Sequence, residues 1–522
     1  MYFFMSEGKI KMSEKLFTLS DFCCALDDAG MLADTDIRGE YADTEVCELT
    51  FDSRKVVKGT LFIAKGVHFK EEYLFSSFDK GAVAYVSDRV IAGKNNYIVV
   101  NDIRGAMALL AKMFYRDPQT ELTTFAVTGT KGKTTTSYYL KEILNTYAAE
   151  QNTRECGFIS TIDTYDGIEK YESTNTTPES PDVWRHFSNA VRSGIENYVV
   201  EVSAQALKYK RVEGIRFNVA GFTNIDNDHI SEVEHPNFED YFYSKLKLFD
   251  NCGIACVNTD DPKSDIMLDY IGGRVPVITF GSHESDTISC RKIETLADGI
   301  YFDVVTPLWS YRMRLTMPGE FNVYNALCAI AMTYAVGIPP ETMARALAVA
   351  RTAGRMQVFE SEDGEVIVIV DYAHNKNSFE TLCEYVCRTY PDRKKIACFG
   401  LHGSKSQNRR EEVGLIVGGC CDYAVICEKD PADEPFEKIA REITVHLEAC
   451  GCPYDVEEFR QDAIRRSVFK NIGPRVIMFA GRGAETHMIR NGAVHRYPSD
   501  IESTIKVLGE YDASVAARKA SV

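Results

Sequence analysis

The chain has 522 residues, 45% hydrophobic and 26% charged, an ordinary globular composition with too much sequence for one core, so about three domains are expected. Basic residues number 59 and acidic ones 76, and the net charge of −17 argues against a function resting on nucleic-acid backbone binding while leaving room for a local basic pocket. No apolar run approaches the ~18 residues of a membrane span, and the opening MYFFMSEGKIKMSEK reads as a loose extension rather than a signal peptide. The sixteen cysteines include no Cys-x-x-Cys, so metal-ligand spacing is absent and reduced, buried thiols are expected in a cytoplasmic monomer that neither enters a membrane nor binds nucleic acid.

Residues up to about 120 carry short strands in DTEVCELTFDSR, GTLFIAK, AVAYVSD and NYIVV, followed by a helical run, GAMALLAKMFY. RDPQTEL (116–122) reads as a linker, because Asp-Pro breaks that helix. From Thr123 apolar strands alternate with helices: TTFAV, NYVVEVS (197–203), VAGFTNI (219–225), ACVNTDD (255–261) and VPVITFG (275–281) have the near-continuous apolar character of buried parallel strands. Helices near 322–336 and 340–350 close this section, and the alternation restarts after Gly354 with VIVIVDYAH, KKIACFG, YAVICEK and RVIMFAGRGAE. The expected fold is α/β, with a smaller N-terminal domain (1–120) ahead of a central parallel-sheet domain (121–352) and a C-terminal one (353–522).

In such sheets ligands gather at the carboxyl ends of strands, and the polar motifs fall there. FAVTGTKGKTTT places only two residues, Thr130 and Lys131, between Gly129 and Gly132, fewer than the four of the common phosphate loop. The backbone N–H groups from Gly129 to Thr135 would still cradle phosphates, with Lys133 adding a positive charge, Thr134 a hydroxyl for Mg2+ and the helix N-terminus its dipole. Glu201 ends one strand where a carboxylate could hold Mg2+, and Asn224, Asp228 and His229 form a polar cluster after the next. YFYSKLKLF (241–249) reads on its own as an amphipathic helix with solvated lysines. DYAHNKNS (371–378) ends a further buried strand with polar groups, whereas GEFNVYNA and AGRM are equally compatible with helix packing and a linker.

Taken in order, FDSRKVVKGTLFIA, TGTKGKTTT, TNTTPES, EVSAQALKYKRV, FTNIDNDHI, YFYSKLKLF, GEFNVYNA, AGRM, DYAH and AGRGAE resemble the Mur ligases, the ATP-dependent amide-bond-forming enzymes of peptidoglycan precursor synthesis. The resemblance runs from about Phe51 to Tyr497. It implies a small UDP-binding domain, a central ATPase-type domain and a C-terminal Rossmann-like domain. DSR and TTP point within the family to addition of the third peptide residue, a diamino acid, to UDP-N-acetylmuramoyl-L-alanyl-D-glutamate, with ATP and Mg2+ as cofactors.

Carried over by position, Lys133 and Thr134 would hold phosphates and Mg2+, Glu201 and His229 would bind Mg2+, and Asn224, Asn322, Arg355 and Asp371 resemble ATP contacts. Ser53 matches a residue near the uridine, and Thr176, Thr177, Ser203 and Arg211 ones that grip the sugar-peptide. Lys245 aligns with a lysine that is carbamylated in the family, and a carbamate anion can organise Mg2+. Ser203-Ala204-Gln205 departs from the family's Ser-Ser-His. Where members that add meso-diaminopimelate carry Asp-Asn-Pro-Arg, this chain has EKDPADEP (428–435), with Ala432 in place of the arginine. The carboxylates of Asp430, Asp433, Glu434 and Glu485 suit an ε-ammonium, so L-lysine is expected, with Lys405 or Arg409 for its α-carboxylate. The same reaction with meso-diaminopimelate or ornithine is an alternative, and a folylpolyglutamate synthetase-like ligase and a non-catalytic nucleotide-binding paralogue are two further readings. Of these two, the DSR section opposes the first, and intact Lys133, Glu201, His229 and Lys245 oppose the second.

Overall fold

The computed structural model describes residues 16–66, 69–226, 235–296, 298–403, 407–490 and 493–520. The opening stretch MYFFMSEGKIKMSEK, and with it Asp228, His229 and Lys405, lies outside the described residues.

The first sheet orders its strands Leu32–Thr35, Tyr97–Val100, Ala82–Ser87, Thr60–Ile63 and Glu48–Thr50, all parallel except the first. The second has eleven strands. At its centre Thr123–Thr128 lies between Asn197–Glu201 and Phe217–Phe222, all parallel, and Cys252–Asn258 and Val277–Gly281 extend it in the same sense. Antiparallel strands close both edges: Asp163–Tyr165 and Lys170–Glu172 on one side, Gly299–Val305 and Ser310–Leu315 on the other. The sequence reading missed these edges, although Ile300, Phe302 and Val304 alternate inward with the period of a half-buried strand. The third sheet runs Gln357–Glu360, Val366–Asp371, Arg475–Ala480, Lys394–Phe399, Tyr423–Ile426 and Tyr454–Val456, again parallel but for the first.

The expected helices form at Ile103–Phe114, Phe321–Tyr334 and Pro340–Val349. RDPQTEL is tighter than a linker. Arg116 and Asp117 adopt left-handed φ values of 61° and 51°, and the Gln119 side-chain oxygen accepts the Arg216 N–H at 2.8 Å.

Burial divides the molecule unequally. One apolar cluster runs from Leu19 and Phe22 through Trp184 and Phe187 to Phe217, so the first two sheets share a core. The third sheet packs its own clusters, around Ile369, Phe399 and Ile443 on one face and Val368, Cys398 and Phe479 on the other. It meets the second sheet through polar pairs: Asn377 with Asp226, and Glu172 with the Thr486 backbone N–H at 3.0 Å and with His487 at 3.3 Å. Among the described residues no helix is long and apolar enough to cross a membrane.

Candidate active site

Three parallel strands deliver the central groups. Thr123–Thr128 ends in the glycine loop, Asn197–Glu201 beside it ends in the Glu201 carboxylate, and Phe217–Phe222 on the other side leads to Asn224. The loop needs its glycines. Gly129 and Gly132 hold φ of 148° and 79°, and a Cβ would stand 2.0 Å from Thr223 Oγ1 in the first case and from Asn325 Oδ1 in the second. Asn224 clamps the loop, its Oδ1 accepting the Lys131 N–H at 2.9 Å and its Nδ2 donating to the Lys131 carbonyl at 3.1 Å. Its amide therefore shapes the loop as well as lining the site.

The helix Lys133–Gln151 starts on Gly132 without a side-chain cap, which leaves N–H groups of its first turn for an anion. Lys133 Nζ donates back to the carbonyls of Gly129 and Thr130 at 3.0 and 3.1 Å. Thr134 Oγ1 donates to Glu201 Oε1 at 3.0 Å. Glu201, 1% exposed, is fixed from behind by the Thr161 N–H at 2.9 Å and the Thr161 hydroxyl at 3.1 Å. A hydroxyl beside an anchored carboxylate, next to a loop of backbone donors, is an oxygen set that fits Mg2+ with a polyphosphate.

Lys245 is buried at 1% exposure, with its Nζ donating to the Gly129 carbonyl at 2.7 Å and lying 4.7 Å above the Tyr241 ring. The amphipathic-helix reading with solvated lysines holds for exposed Lys247 and fails for Lys245.

A cavity of 660 Å³ joins the two sheets. Lys133, Thr134, Glu201, Asn224, Asn322 and Thr176 line it from the central section, and Arg355, Asp371 and His374 from the C-terminal one. Asp371 Oδ2 accepts the Met356 N–H at 2.8 Å, and Arg355 stacks 4.3 Å from the Tyr372 ring. Burial raises the Asp371 carboxyl against the opposing pull of Arg355. His374 is pushed well below the usual imidazole range by burial, with Lys429 and Arg409 adding to the effect. Met317, Phe321, Tyr324 and Leu382 give the cavity an apolar wall that sequence reasoning missed, because in the sequence they are indistinguishable from core residues.

A second cavity of 340 Å³ adjoins it, sharing Thr161, Thr176, Arg355 and Tyr372 and adding Glu172, Arg482 and Glu485. Glu485 Oε1 accepts the Tyr372 hydroxyl at 2.7 Å, whereas its buried Oε2 has no hydrogen-bond partner among the described residues. The other expected amino-acid ligands do not converge here. Asp430 accepts the Ile489 N–H at 2.9 Å and lies 3.6 Å from Arg482, Asp433 is exposed, and Glu434 pairs with buried Arg410 at 2.7 Å. Lys429, also missed, is 1% exposed, donates to the Gly481 carbonyl and sits 4.8 Å over Tyr372; burial brings its pKa down to about 8.

The residues expected to grip the sugar-peptide form a network. Thr176 Oγ1 lies 3.0 Å from Thr161 Oγ1, Thr177 Oγ1 donates to the Glu201 carbonyl at 2.8 Å, and Ser203 caps the next helix through Ala206 N–H. Arg211 donates to the Thr177 carbonyl and to Glu179, which also pairs with Lys65 at 2.6 Å. Burial would raise the Glu179 carboxyl, but Lys65 and Arg211 outweigh it and hold it below the usual range. Ser53 sits apart, in the first section, its carbonyl accepting Lys80 Nζ at 2.7 Å.

Two family descriptions match the chain: the Mur ligase middle domain over residues 127–333 and the Mur ligase glutamate ligase domain over 354–483. The UDP-N-acetylmuramoyl-L-alanyl-D-glutamate--L-lysine ligase of Enterococcus faecalis is 36% identical over 468 residues, covering 87% of this chain and 90% of that one. The corresponding 2,6-diaminopimelate ligase of Caldanaerobacter subterraneus subsp. tengcongensis is 34% identical over 454 residues, covering 86% and 92%. A solved structure of a UDP-N-acetylmuramoyl-L-alanyl-D-glutamate--2,6-diaminopimelate ligase shares the fold, with a TM-score of 0.61 at 22% identity over 92% of this chain and 97% of that one. The glycine loop, the strand-end carboxylate and the two-sheet cavity thus occur in a chain that belongs to the Mur ligase family.

Proposed function

We propose that the chain is an ATP-dependent ligase that adds L-lysine to UDP-N-acetylmuramoyl-L-alanyl-D-glutamate. The observation that carries this reading is the single cavity walled by the phosphate loop and Glu201 on one sheet and by Arg355 and Asp371 on the other. In this reading residues 1–120 hold the uridine end through Ser53, residues 121–352 the ATP and residues 353–522 the incoming amino acid.

The substrate carboxylate attacks the γ-phosphorus of ATP, ADP leaves, and an acyl phosphate forms. The amino group of lysine then attacks the acyl carbon and loses its proton, and phosphate departs from the tetrahedral intermediate. Lys133 and the loop N–H groups balance charge on the transferring phosphoryl group, while Thr176 and Arg211 align the acceptor. Mg2+ would be held by Thr134 and Glu201, with His229 and a carbamylated Lys245 completing the set, and would neutralise phosphate charge. Lys245 supports this reading by placing its nitrogen against the loop, 2.7 Å from the Gly129 carbonyl. A cytoplasmic monomer is part of the same proposal.

Relatives of both acceptor specificities resemble this chain, so the choice of lysine rests on the site. Ala432 offers no guanidinium for a second carboxylate, and Glu485 brings a carboxylate to the smaller cavity, where Lys429 and Arg482 are the neighbouring cations. An equimolar mixture of L-lysine, L-ornithine and meso-diaminopimelate, with product masses read at early times, tests this. The lysyl product should dominate. Faster ligation of diaminopimelate would overturn the specificity alone, whereas phosphate release that needs neither dipeptide nor amino acid would overturn the ligase.

A further inference from the structure

The helix Lys376–Thr389 contributes Ser378, Thr381 and Leu382 to the larger cavity, and beyond them it carries two cysteines in i,i+4 relation, Cys383 and Cys387. The helix Asn408–Cys420 packs against it and delivers Cys420 as its last residue and Cys421 as its C-cap. The Sγ atoms of Cys383, Cys420 and Cys421 all lie within 4.8 Å of one another, and Cys387 Sγ is 3.3 Å from Cys420 Sγ. Cys383 and Cys421 are buried, Cys420 is half-buried and Cys387 is exposed. None of the four lines either cavity described above.

We infer that Cys383, Cys387, Cys420 and Cys421 form a thiolate site for a soft, tetrahedral d10 cation of the zinc class, which clips these two helices together. Zinc–sulfur bonds of ~2.3 Å set the sulfurs of a tetrahedral site about 3.8 Å apart. Three of the sulfurs already lie within 4.8 Å of one another, and Cys387, next to Cys420 but outside that group, would have to turn its side chain inward to complete the set. The four donors are all sulfur, which selects against Mg2+ and for a thiophilic ion. Exposed Cys387 marks the way in, and binding releases the thiol protons to solvent. The sequence reading looked for Cys-x-x-Cys; here the ligands come as Cys-x-x-x-Cys on one helix and Cys-Cys on the next, which only the packing brings together.

The test uses full-length protein, reduced, freed of metal and kept anaerobic. Cd2+ is titrated while the cadmium–thiolate charge-transfer band is followed, Zn2+ is used to displace it, and native mass spectrometry gives the stoichiometry. One ion per chain is expected. Cys420→Ser should weaken binding by roughly 100-fold or more, and Cys387→Ser, at an exposed position that leaves the fold intact, by about 10-fold. Cys24→Ser, an exposed cysteine of the first section, should bind like the parent, as should Lys133→Ala, whose change lies in the larger cavity. The inference is overturned if the reduced chain takes up no ion or if Cys387→Ser binds as tightly as the parent.

Discussion

The glycine loop at 129–134 and the acidic segment at 428–435 both follow the carboxyl end of a parallel strand, yet they are held by opposite means. The loop is built from backbone. Positive φ at Gly129 and Gly132, the Asn224 clamp and the uncapped helix start leave its donors facing the cavity. The acidic segment is built from side chains that bind one another: Glu428 with Arg490 and Tyr497, Asp430 with the Ile489 N–H, Glu434 with Arg410. Its carboxylates serve mostly to hold the segment, and the anion left facing a cavity, Glu485, comes from a different strand end. A site made by backbone geometry presents its ligand groups by default, whereas a cluster of charges does so only where its neighbours leave a group unpaired.

Breaking the loop should have the largest effect. Lys133→Ala is expected to reduce ligation at least roughly 1000-fold, about 4 kcal/mol of transition-state stabilisation, with an unchanged fold by circular dichroism. Near-parent turnover would show that the loop does not act on phosphate. Next, Lys245→Ala should lose about 100-fold in kcat and recover in part with added formate or acetate, which stand in for a carbamate; activity independent of those additives counts against carbamylation. Removing the Glu485 charge by Glu485→Gln should raise KM for L-lysine about 30-fold, roughly 2 kcal/mol, with KM for ATP unmoved. An unchanged lysine KM would move the ammonium site elsewhere.

The acidic segment should respond in stability rather than in turnover. Glu434→Ala leaves Arg410 with Glu442 and the His402 carbonyl and is expected to cost about 2 kcal/mol in urea unfolding, while KM for lysine stays put. A raised lysine KM would return Glu434 to the binding site. The smallest effect concerns Lys429. Its folded pKa of about 8 lies below the ordinary 10.5, so above pH 8 the unfolded chain holds the extra proton and stability rises with pH. Relative to Lys429→Met, the parent should gain about 1 kcal/mol between pH 8 and 9; parallel stability curves would show that Lys429 is not desolvated.

The same contrast explains what was legible in the sequence. The central strands announce themselves as apolar runs, and Lys133, Thr134, Glu201, Asn322, Arg355 and Asp371, singled out from the sequence, line one cavity. The edge strands were harder to read, because a short half-buried strand such as Gly299–Val305 resembles any mixed segment until its partners are known. The fate of Glu434 depended on Arg410, twenty-four residues away, and the burial of Lys245 on a carbonyl 116 residues away. Contacts of that range leave no local pattern.

Thr161, Thr176, Arg355 and Tyr372 belong to both cavities. A partition with two faces gives the neighbouring cavities a route to coupling: a ligand that fixed Arg355 or Tyr372 from one side would alter the surface offered to the other, and any change in affinity would be the same factor in either direction. On the proposed assignment, nucleotide and amino acid would then report on each other's presence without touching.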